Sequence, residues 1–147
     1  MTSKDVVRDY YAAYLRGDLA SVEALVHPQC IIDEPDFLPY GRVPVVGFPA
    51  MQELIAGTFA TVFHDDIALD EMRLFEEGDD IIAQCIWRMT PRYGGPRIDC
   101  HYHEYFGIRA GQIVSIRPFY HAVDQMAAAF ERARQHGVDL HLSARRA

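Results

Sequence analysis

One acidic residue stands out because it interrupts an otherwise apolar strand face. The segment Ile98–Arg109 reads IDCHYHEYFGIR, and alternate side chains of an extended strand point to opposite faces. The face that contains Glu104 otherwise consists of apolar and aromatic residues: Ile98, Cys100, Tyr102, Phe106 and Ile108. An ionised carboxylate in an apolar wall is costly, so such a group is usually paired, protonated or functional. Glu104 is therefore the first candidate for chemistry.

Two further acids, Asp33 and Glu34, stand directly before Pro35 at the end of a short predicted strand, Cys30–Glu34. Neighbouring residues of a strand point to opposite faces, so only one of the two acids can face the interior. The sequence alone leaves this choice open. We favour Glu34 and keep Asp33 as the alternative.

The spacing of apolar residues predicts helices in the first half of the chain and strands in the second. A period of 3.6 indicates a helix and a period of 2 a strand. Ser3 is the expected N-cap of the first helix, and Gly17–Asp18 its end. The predicted helices are Lys4–Leu15, Leu19–Val26, Pro49–Phe63 and Ala122–Gln135. The later predicted strands are Ile67–Phe75, Ile81–Thr90, Ile98–Arg109 and Ile113–His121. Proline and glycine make the segment Asp36–Gly47 an expected irregular loop.

This order predicts an α+β fold in which a curved antiparallel sheet wraps around helices. We expect a single domain over residues 1–147, with its core in 4–126 and a C-terminal helix and tail in 122–147. The apolar strand faces should line one interior. That interior would contain Glu104 and the substrate-binding candidates Trp87, Met89, Tyr102, Phe106 and Tyr120.

Composition excludes several classes of function. The chain has 147 residues and a net charge of −7 with neutral histidines. Nucleic-acid binding is not expected, because the only basic cluster is Arg145–Arg146 at the C-terminus. No apolar run reaches the length of a membrane span, and no signal peptide is evident, so we expect a cytoplasmic protein. The cysteines, Cys30, Cys85 and Cys100, lack metal-type spacing and are expected to be buried thiols.

His101 and His103 form an HxH pattern, and His121 is expected beside them on the next strand. By alternation these histidines lie on the face opposite Glu104. A metal site is one interpretation. We favour a structural or interface role, because this outer face also carries Ile86, Tyr105, Ile113 and Phe119. Those apolar residues predict a homodimer through the outer sheet face.

Four phrases in this order resemble the SnoaL-like and ketosteroid-isomerase-like branch of the nuclear transport factor 2-like superfamily. They are YYAAYLRGDLASVEALVHP, CIIDEP, LPYGR followed by GFPAMQELI, and EYFGIRAGQIVSIRPFYHAV. The resemblance implies the same α+β fold, here with an extra C-terminal helix. This scaffold hosts isomerases, dehydratases, cyclases, epoxide hydrolases and non-catalytic binders, so the fold alone does not fix a function.

The resemblance to ketosteroid isomerases implies roles for three residues. Tyr10 matches the tyrosine of the first helix that donates to the substrate oxyanion. Glu34, directly before Pro35, matches the general base, and Glu104 matches a protonated acid that also donates. Both acids are Glu where those enzymes use Asp, which moves each carboxyl by one methylene. Epoxide hydrolysis ranks low, because Cys85, Trp87 and Pro118 occupy the positions of its typical acids and arginine.

We therefore expect a cofactor-free, metal-free enzyme that removes a proton next to the carbonyl of a small, mostly apolar compound. Isomerisation, dehydration and polyketide cyclisation share this step, and the sequence does not separate them. Glu34 is expected to be ionised with a pKa near ~4.3, and Glu104 to be at least partly protonated because burial disfavours its charge. The alternatives are a non-catalytic binder of an apolar small molecule and a structural dimerisation module.

Overall fold

The computed structural model describes residues 1–41 and 43–140, so the predicted basic cluster Arg145–Arg146 lies outside the described residues. One curved, six-stranded sheet dominates the fold. Its strands are β1 (Val26–Ile32), β2 (Val45–Val46), β3 (Ala68–Glu77), β4 (Asp80–Met89), β5 (Ile98–Arg109) and β6 (Gln112–Tyr120). The order across the sheet is β2-β1-β6-β5-β4-β3. The predicted α+β class is confirmed.

Helices cover one face of this sheet. They are α1 (Ser3–Arg16), α2 (Leu19–Leu25), α3 (Phe48–Ala50), a π-helical segment (Met51–Ala56), α4 (Gly57–Val62) and α5 (Val123–Gln135). The predicted helix Pro49–Phe63 corresponds to three pieces that follow one another without a break. The rings of Tyr10 and Tyr11 lie against Phe106 of β5, at centroid distances of 5.6 and 5.7 Å. Helix α1 thus packs directly on the strand that carries Glu104.

Local sequence signals explain where α1 begins and ends. Thr2, and not the predicted Ser3, is the N-cap: its hydroxyl accepts from the Asp5 N–H at 3.2 Å. The Asp5 carboxylate in turn accepts from the Thr2 N–H at 2.8 Å, which completes a capping box. Gly17 ends the helix in the left-handed region, with φ 71°. Asp18 then caps α2, where its carboxylate accepts from the Ser21 N–H.

The first strand begins earlier than predicted and pairs differently. Val26 is the first residue of β1 and not the last of a helix, and β1 ends at Ile32, two residues before Glu34. Val26 pairs with Ile113 and Ile32 with Ile116, which makes β1 and β6 parallel neighbours. The remaining strand pairs are antiparallel. A parallel pair needs a long connection, which the helices and the β3–β5 meander supply.

A bulge changes the predicted faces of β6. Gly107 pairs with Ser115, but the next residue, Ile108, pairs with Ile113, so Val114 is the extra residue. The bulge turns Ile113 into the interior, where it is 0% exposed. The prediction that Ile113 lies on the outer face was therefore wrong. Phe119, which follows the bulge in β6, and Tyr105 of β5 lie on the outer face, and each is 44% exposed. Their ring centroids are 5.3 Å apart.

The interior consists of two apolar clusters. One lies between α1, α2 and the middle of the sheet, and the other joins α4, α5, the 37–40 loop and the ends of β4 and β5. Helix α5 buries Met126, Ala129, Phe130 and Ala133 in the second cluster. The Phe130 ring contacts Phe63 of the α4 end at 5.9 Å. Helix α5 therefore has one buried face, whereas Val123 at its start is 38% exposed.

Candidate active site

A cavity of about 370 Å³ lies where the two apolar clusters meet. This volume falls within the range of small-molecule pockets. Residues from α1, the π-helical segment, α4 and four strands line it. Among them are Tyr10, Glu34 and Glu104, together with Trp87, Met89, Tyr102 and Tyr120. The sequence-predicted candidates thus converge on one cavity, with the exception of Asp33 and Phe106.

Glu104 lies at the inner end of this cavity with both carboxylate oxygens engaged. Strand alternation turns it inward, and its side chain is 6% exposed. Tyr11 donates to Oε1 at 2.5 Å, and Tyr102 donates to Oε2. Burial raises the pKa of Glu104 to about 7, and the two hydroxyl donors oppose that rise because they stabilise the charged form. This raised pKa agrees with the predicted partial protonation of Glu104.

Glu34 is equally buried but has fewer partners. It follows β1, is 6% exposed, and accepts one hydrogen bond, from the Tyr120 hydroxyl at 3.3 Å. Burial raises the pKa of Glu34 well above its ordinary value, and the charge of nearby Glu104 raises it further. The prediction that Glu34 stays near an ordinary pKa was wrong. The reason is the 37–40 loop, whose Leu38 and Tyr40 are themselves buried, so this loop does not open Glu34 to water.

The two carboxyls therefore form an unequal pair. Glu104 has two hydroxyl donors and a pKa of about 7, whereas Glu34 has one long hydrogen bond, and burial raises its pKa well above the ordinary value. Ionisation of Glu104 also raises the pKa of Glu34, because like charges disfavour each other. The hydrogen bonds therefore favour a negative charge on Glu104, which has two hydroxyl donors, over one on Glu34, which has one.

Tyrosine hydroxyls surround this pair, and they differ in what they already bond. Tyr11 and Tyr102 donate their protons to Glu104. Among the described residues, the Tyr10 hydroxyl has one hydrogen-bond partner, the thioether sulfur of Met51 at 3.8 Å, which is a weak acceptor. Burial raises the pKa of Tyr10 well above its ordinary value, so its hydroxyl stays protonated. Tyr10 lines the cavity with a proton available for a ligand oxygen.

Sequence reasoning missed Tyr11. The resemblance pointed to one tyrosine of α1, and its neighbour Tyr11 is the residue that reaches Glu104. The available signal was the apolar stripe of α1, because Val7, Tyr11 and Tyr14 follow one another at helical spacing on the buried side. Tyr14 also lines the cavity, and its hydroxyl accepts from Gln52 at 3.1 Å.

Two sequence candidates do not face the cavity. Asp33 points to the outer side of the sheet, where its carboxylate pairs with Arg117 at 3.0 Å. Glu34 is thus the inward acid of the two. Phe106 lies on the inner face but beneath the Tyr10 and Tyr11 rings, which cover it, so it supports the cavity floor and touches no cavity space.

The histidines lie on the outer face, opposite Glu104, as predicted. His103 and His121 share a ring-nitrogen contact of 2.9 Å, and Gln84 contacts the other nitrogen of His103 at 3.0 Å. Desolvation, together with the neighbouring histidine charges, lowers the pKa of His103. Within residues 1–41 and 43–140, no group of three or more His, Cys, Asp or Glu side chains is arranged to hold a metal ion. Cys30, Cys85 and Cys100 are buried free thiols.

Exposed residues at the other end of the cavity form its mouth, and no sequence pattern had singled them out. We define the mouth by five cavity-lining residues that are also solvent-exposed: Leu15, Ala60, His64, Asp65 and Arg92. They come from the end of α1, the end of α4, the segment after it, and the turn after β4. The cavity therefore has polar groups both in its buried part and at its exposed mouth, within a mostly apolar lining.

A curved sheet around helices with a cavity between them is the architecture of nuclear transport factor 2-like (NTF2-like) proteins. An NTF2-like protein from Burkholderia thailandensis aligns with a TM-score of 0.78 and 22% identity, over 88% of this chain and 98% of that one. TerC, co-crystallised with polyporic acid, aligns with a TM-score of 0.72 and 16% identity, over 90% of this chain and 98% of TerC. A candidate polyketide cyclase from Pseudomonas putida aligns with a TM-score of 0.71 and 18% identity, over 85% of this chain and 98% of the cyclase chain.

The sequence identifies a family that is more specific than the NTF2-like fold. The SnoaL-like domain profile matches residues 7–116, so the chain belongs to the SnoaL-like domain family. No curated protein matches the chain. In the described part of the chain, no helix is long and apolar enough to cross a membrane.

Proposed function

We propose that this protein is a cofactor-free acid–base enzyme that acts on a small, largely apolar carbonyl compound through an enolate-like intermediate. The observation that carries this proposal is the unequal carboxyl pair in one apolar cavity. Two acids whose environments separate their pKa values provide a base and a proton donor at the same pH. Ketosteroid isomerases divide the two roles in this way, and we borrow their pattern.

We assign Glu104 as the base and Glu34 as the donor, which exchanges the roles that the sequence resemblance implied. A base works best when its pKa lies near the operating pH, and the pKa of Glu104 is about 7. Glu34 is the proton donor of the pair, because burial and the charge of Glu104 raise its pKa and one long hydrogen bond is all that stabilises its charged form among the described residues. A protonated carboxyl in an apolar site can donate a hydrogen bond to a developing oxyanion.

The proposed reaction begins with a carbonyl oxygen placed between Tyr10 and Glu34. Glu104 takes the proton from the carbon next to the carbonyl, and the electron pair of that C–H bond moves to the oxygen. The hydroxyls of Tyr10 and Glu34 stabilise the negative charge on the oxygen. Return of the proton from Glu104 to another carbon of a conjugated enolate gives isomerisation, and its transfer to a departing β-hydroxyl gives dehydration with loss of water. Attack of the enolate carbon on a second carbonyl gives cyclisation when the same proton passes to the alkoxide that forms.

Two structural neighbours agree with this substrate class. One is a candidate polyketide cyclase, and the other was co-crystallised with polyporic acid. At 18% and 16% identity they share the fold, and they suggest only the kind of molecule to test. The cavity volume of about 370 Å³ suits a molecule of two or three fused or linked rings.

Deuterium exchange provides a test that does not require the natural substrate. The probe is 2-tetralone, an apolar ketone with acidic protons next to its carbonyl, followed in D₂O by NMR. We expect the wild type to accelerate exchange, Glu104→Gln to abolish the acceleration, and Glu34→Gln to retain part of it, because the Gln amide still donates. The matched control is Asp33→Asn, which changes the neighbouring, outward-facing acid. Loss of exchange in Glu34→Gln alone would restore the sequence-based assignment.

A second candidate function is binding without turnover, and one observation favours it. Both oxygens of Glu104 already accept tyrosine hydroxyls, which is also how a purely structural buried carboxylate is satisfied. In that case 2-tetralone would bind, with quenching of Trp87 fluorescence, but exchange would equal that of the buffer. The dimerisation-module alternative is weaker, because Tyr102 and Tyr120 line an open cavity and do not fill it.

A further inference from the structure

Arg92 is held at the cavity mouth by bonds that use only part of its guanidinium. Its Nε donates to the carbonyl oxygens of Ala60 and Phe63, at 2.9 and 2.8 Å. Its backbone N–H donates to the Val62 carbonyl at 2.9 Å. These carbonyls belong to the last turn of α4, where helical acceptors lack partners within the helix. The end of α4 therefore fixes the position of the guanidinium group.

The two terminal nitrogens of Arg92 have no hydrogen-bond partner among residues 1–41 and 43–140. Most arginines of the described chain are paired with a carboxylate: Arg8, Arg16, Arg88, Arg97, Arg109, Arg117 and Arg134. Arg92 has no such pair in these ranges, although Asp65 lines the same mouth. Capping of α4 explains the hydrogen bonds of the Arg92 Nε. It does not explain why the two terminal nitrogens of the guanidinium lie beside an apolar cavity with no partner in the described chain.

An arginine fork of this kind binds a carboxylate in bidentate fashion. Since Arg92 lies at the exposed mouth and the carboxyl pair at the inner end, a ligand that meets both must be polar at its two ends and apolar between them. We infer that the ligand of this cavity is an apolar ketone with an anionic group, such as a carboxylate, which binds Arg92 while the ketone lies near Glu34 and Glu104. This inference rests on the proposed function for its ketone end, but its anion site is testable separately.

The test compares two fluorescent probes that share one skeleton. 8-Anilinonaphthalene-1-sulfonate carries an anion, and N-phenyl-1-naphthylamine lacks it. Both brighten in apolar sites, and energy transfer from Trp87, the single tryptophan, reports only on probe bound near the cavity wall. We expect Arg92→Gln to weaken binding of the sulfonate about twofold to fivefold, as for an exposed charge pair, and to leave the affinity for the neutral probe unchanged.

Two further variants keep the inference falsifiable. Arg97→Gln is the matched control, because Arg97 pairs with Asp66 at 3.5 Å and does not line the cavity; it should change neither affinity. Asp65→Asn removes the negative charge of the mouth and should strengthen sulfonate binding about twofold without affecting the neutral probe. It also serves if Arg92→Gln does not fold.

Unchanged sulfonate affinity in a folded Arg92→Gln protein would overturn the anion site, as would unchanged or weaker sulfonate binding in Asp65→Asn. Either result leaves the proposed enolisation intact, since 2-tetralone carries no anion. Conversely, absent exchange of 2-tetralone with a clear effect of Arg92→Gln on the sulfonate would reject the enzyme and keep the anion site.

Discussion

Replacing Glu104 with Gln in a protein that already carries Glu34→Gln should remove a defined pH dependence of stability. The pKa of Glu104 is raised by burial from 4.5 to about 7, and each pKa unit corresponds to ~1.4 kcal/mol. The folded protein keeps this proton up to about pH 7, whereas the unfolded chain loses it near ~4.5. Stability from Glu104 is therefore fully present below pH 4.5 and is lost as the pH rises to about 7.

The total loss is about 3 kcal/mol, of which roughly 2.5 kcal/mol falls between pH 5 and pH 8. The Glu34→Gln background is needed because Gln, like a protonated Glu, is uncharged. Glu104 then titrates beside an uncharged residue 34. The assay is urea unfolding of the Glu34→Gln and Glu34→Gln/Glu104→Gln proteins at pH 5 and pH 8. From pH 5 to pH 8, we expect the free energy of unfolding of the single variant to fall by about 2.5 kcal/mol more than that of the double variant.

His103 affects both proteins equally. Its lowered pKa makes stability rise with pH below about 6.5, which opposes the effect of Glu104 but cancels in the difference. Equal pH dependence of the two proteins, within about 0.5 kcal/mol, would refute the claim that burial holds a proton on Glu104. A steeper loss in the double variant would refute it as well.

Three further predictions concern packing. Tyr11→Phe should destabilise the protein by about 1–3 kcal/mol in urea unfolding, because a buried Glu104 oxygen loses its donor. Tyr40→Phe should be neutral or stabilising, since the buried Tyr40 hydroxyl has no partner in the described chain. A larger loss of stability in Tyr40→Phe than in Tyr11→Phe would contradict this. We expect the wild type to sediment as a homodimer at micromolar concentration and Phe119→Glu as a monomer, because a charge would enter the apolar outer face; a monomeric wild type would exclude this interface. Truncation after Asp124 should lower the melting temperature, since α5 buries four residues, and an unchanged value would count against that packing.

Strand periodicity predicted much of the site, because it depends only on neighbours in the chain. The alternation of β5 placed Glu104 inward and the histidines outward, and the structure has both. The same rule failed on β6 at the Val114 bulge, since the extra residue puts Ile113, before it, on the inner face while Phe119, after it, stays on the outer face. A bulge of this kind has no fixed sequence signal when it contains no glycine.

Features that depend on distant contacts were not predictable. The exposure of Glu34 is set by how the 37–40 loop folds back, and loop composition does not reveal that path. Phe106 shares the face of Glu104 but is covered by the tyrosines of α1, a tertiary contact. Arg92 joins the site only because the end of α4 meets the turn after β4. Each of these outcomes needs the folded chain.

The proposed chemistry depends most on two buried carboxyls that share about one negative charge just above neutral pH. The direct measurement is an NMR titration of protein labelled with ¹³C at the glutamate side-chain carboxyls, with Glu34→Gln and Glu104→Gln for assignment. We predict one midpoint at about 7, absent in Glu104→Gln, and a second carboxyl that stays protonated to higher pH and is absent in Glu34→Gln. If both signals titrate with the exposed glutamates, near ~4.3, the acid–base pair does not exist.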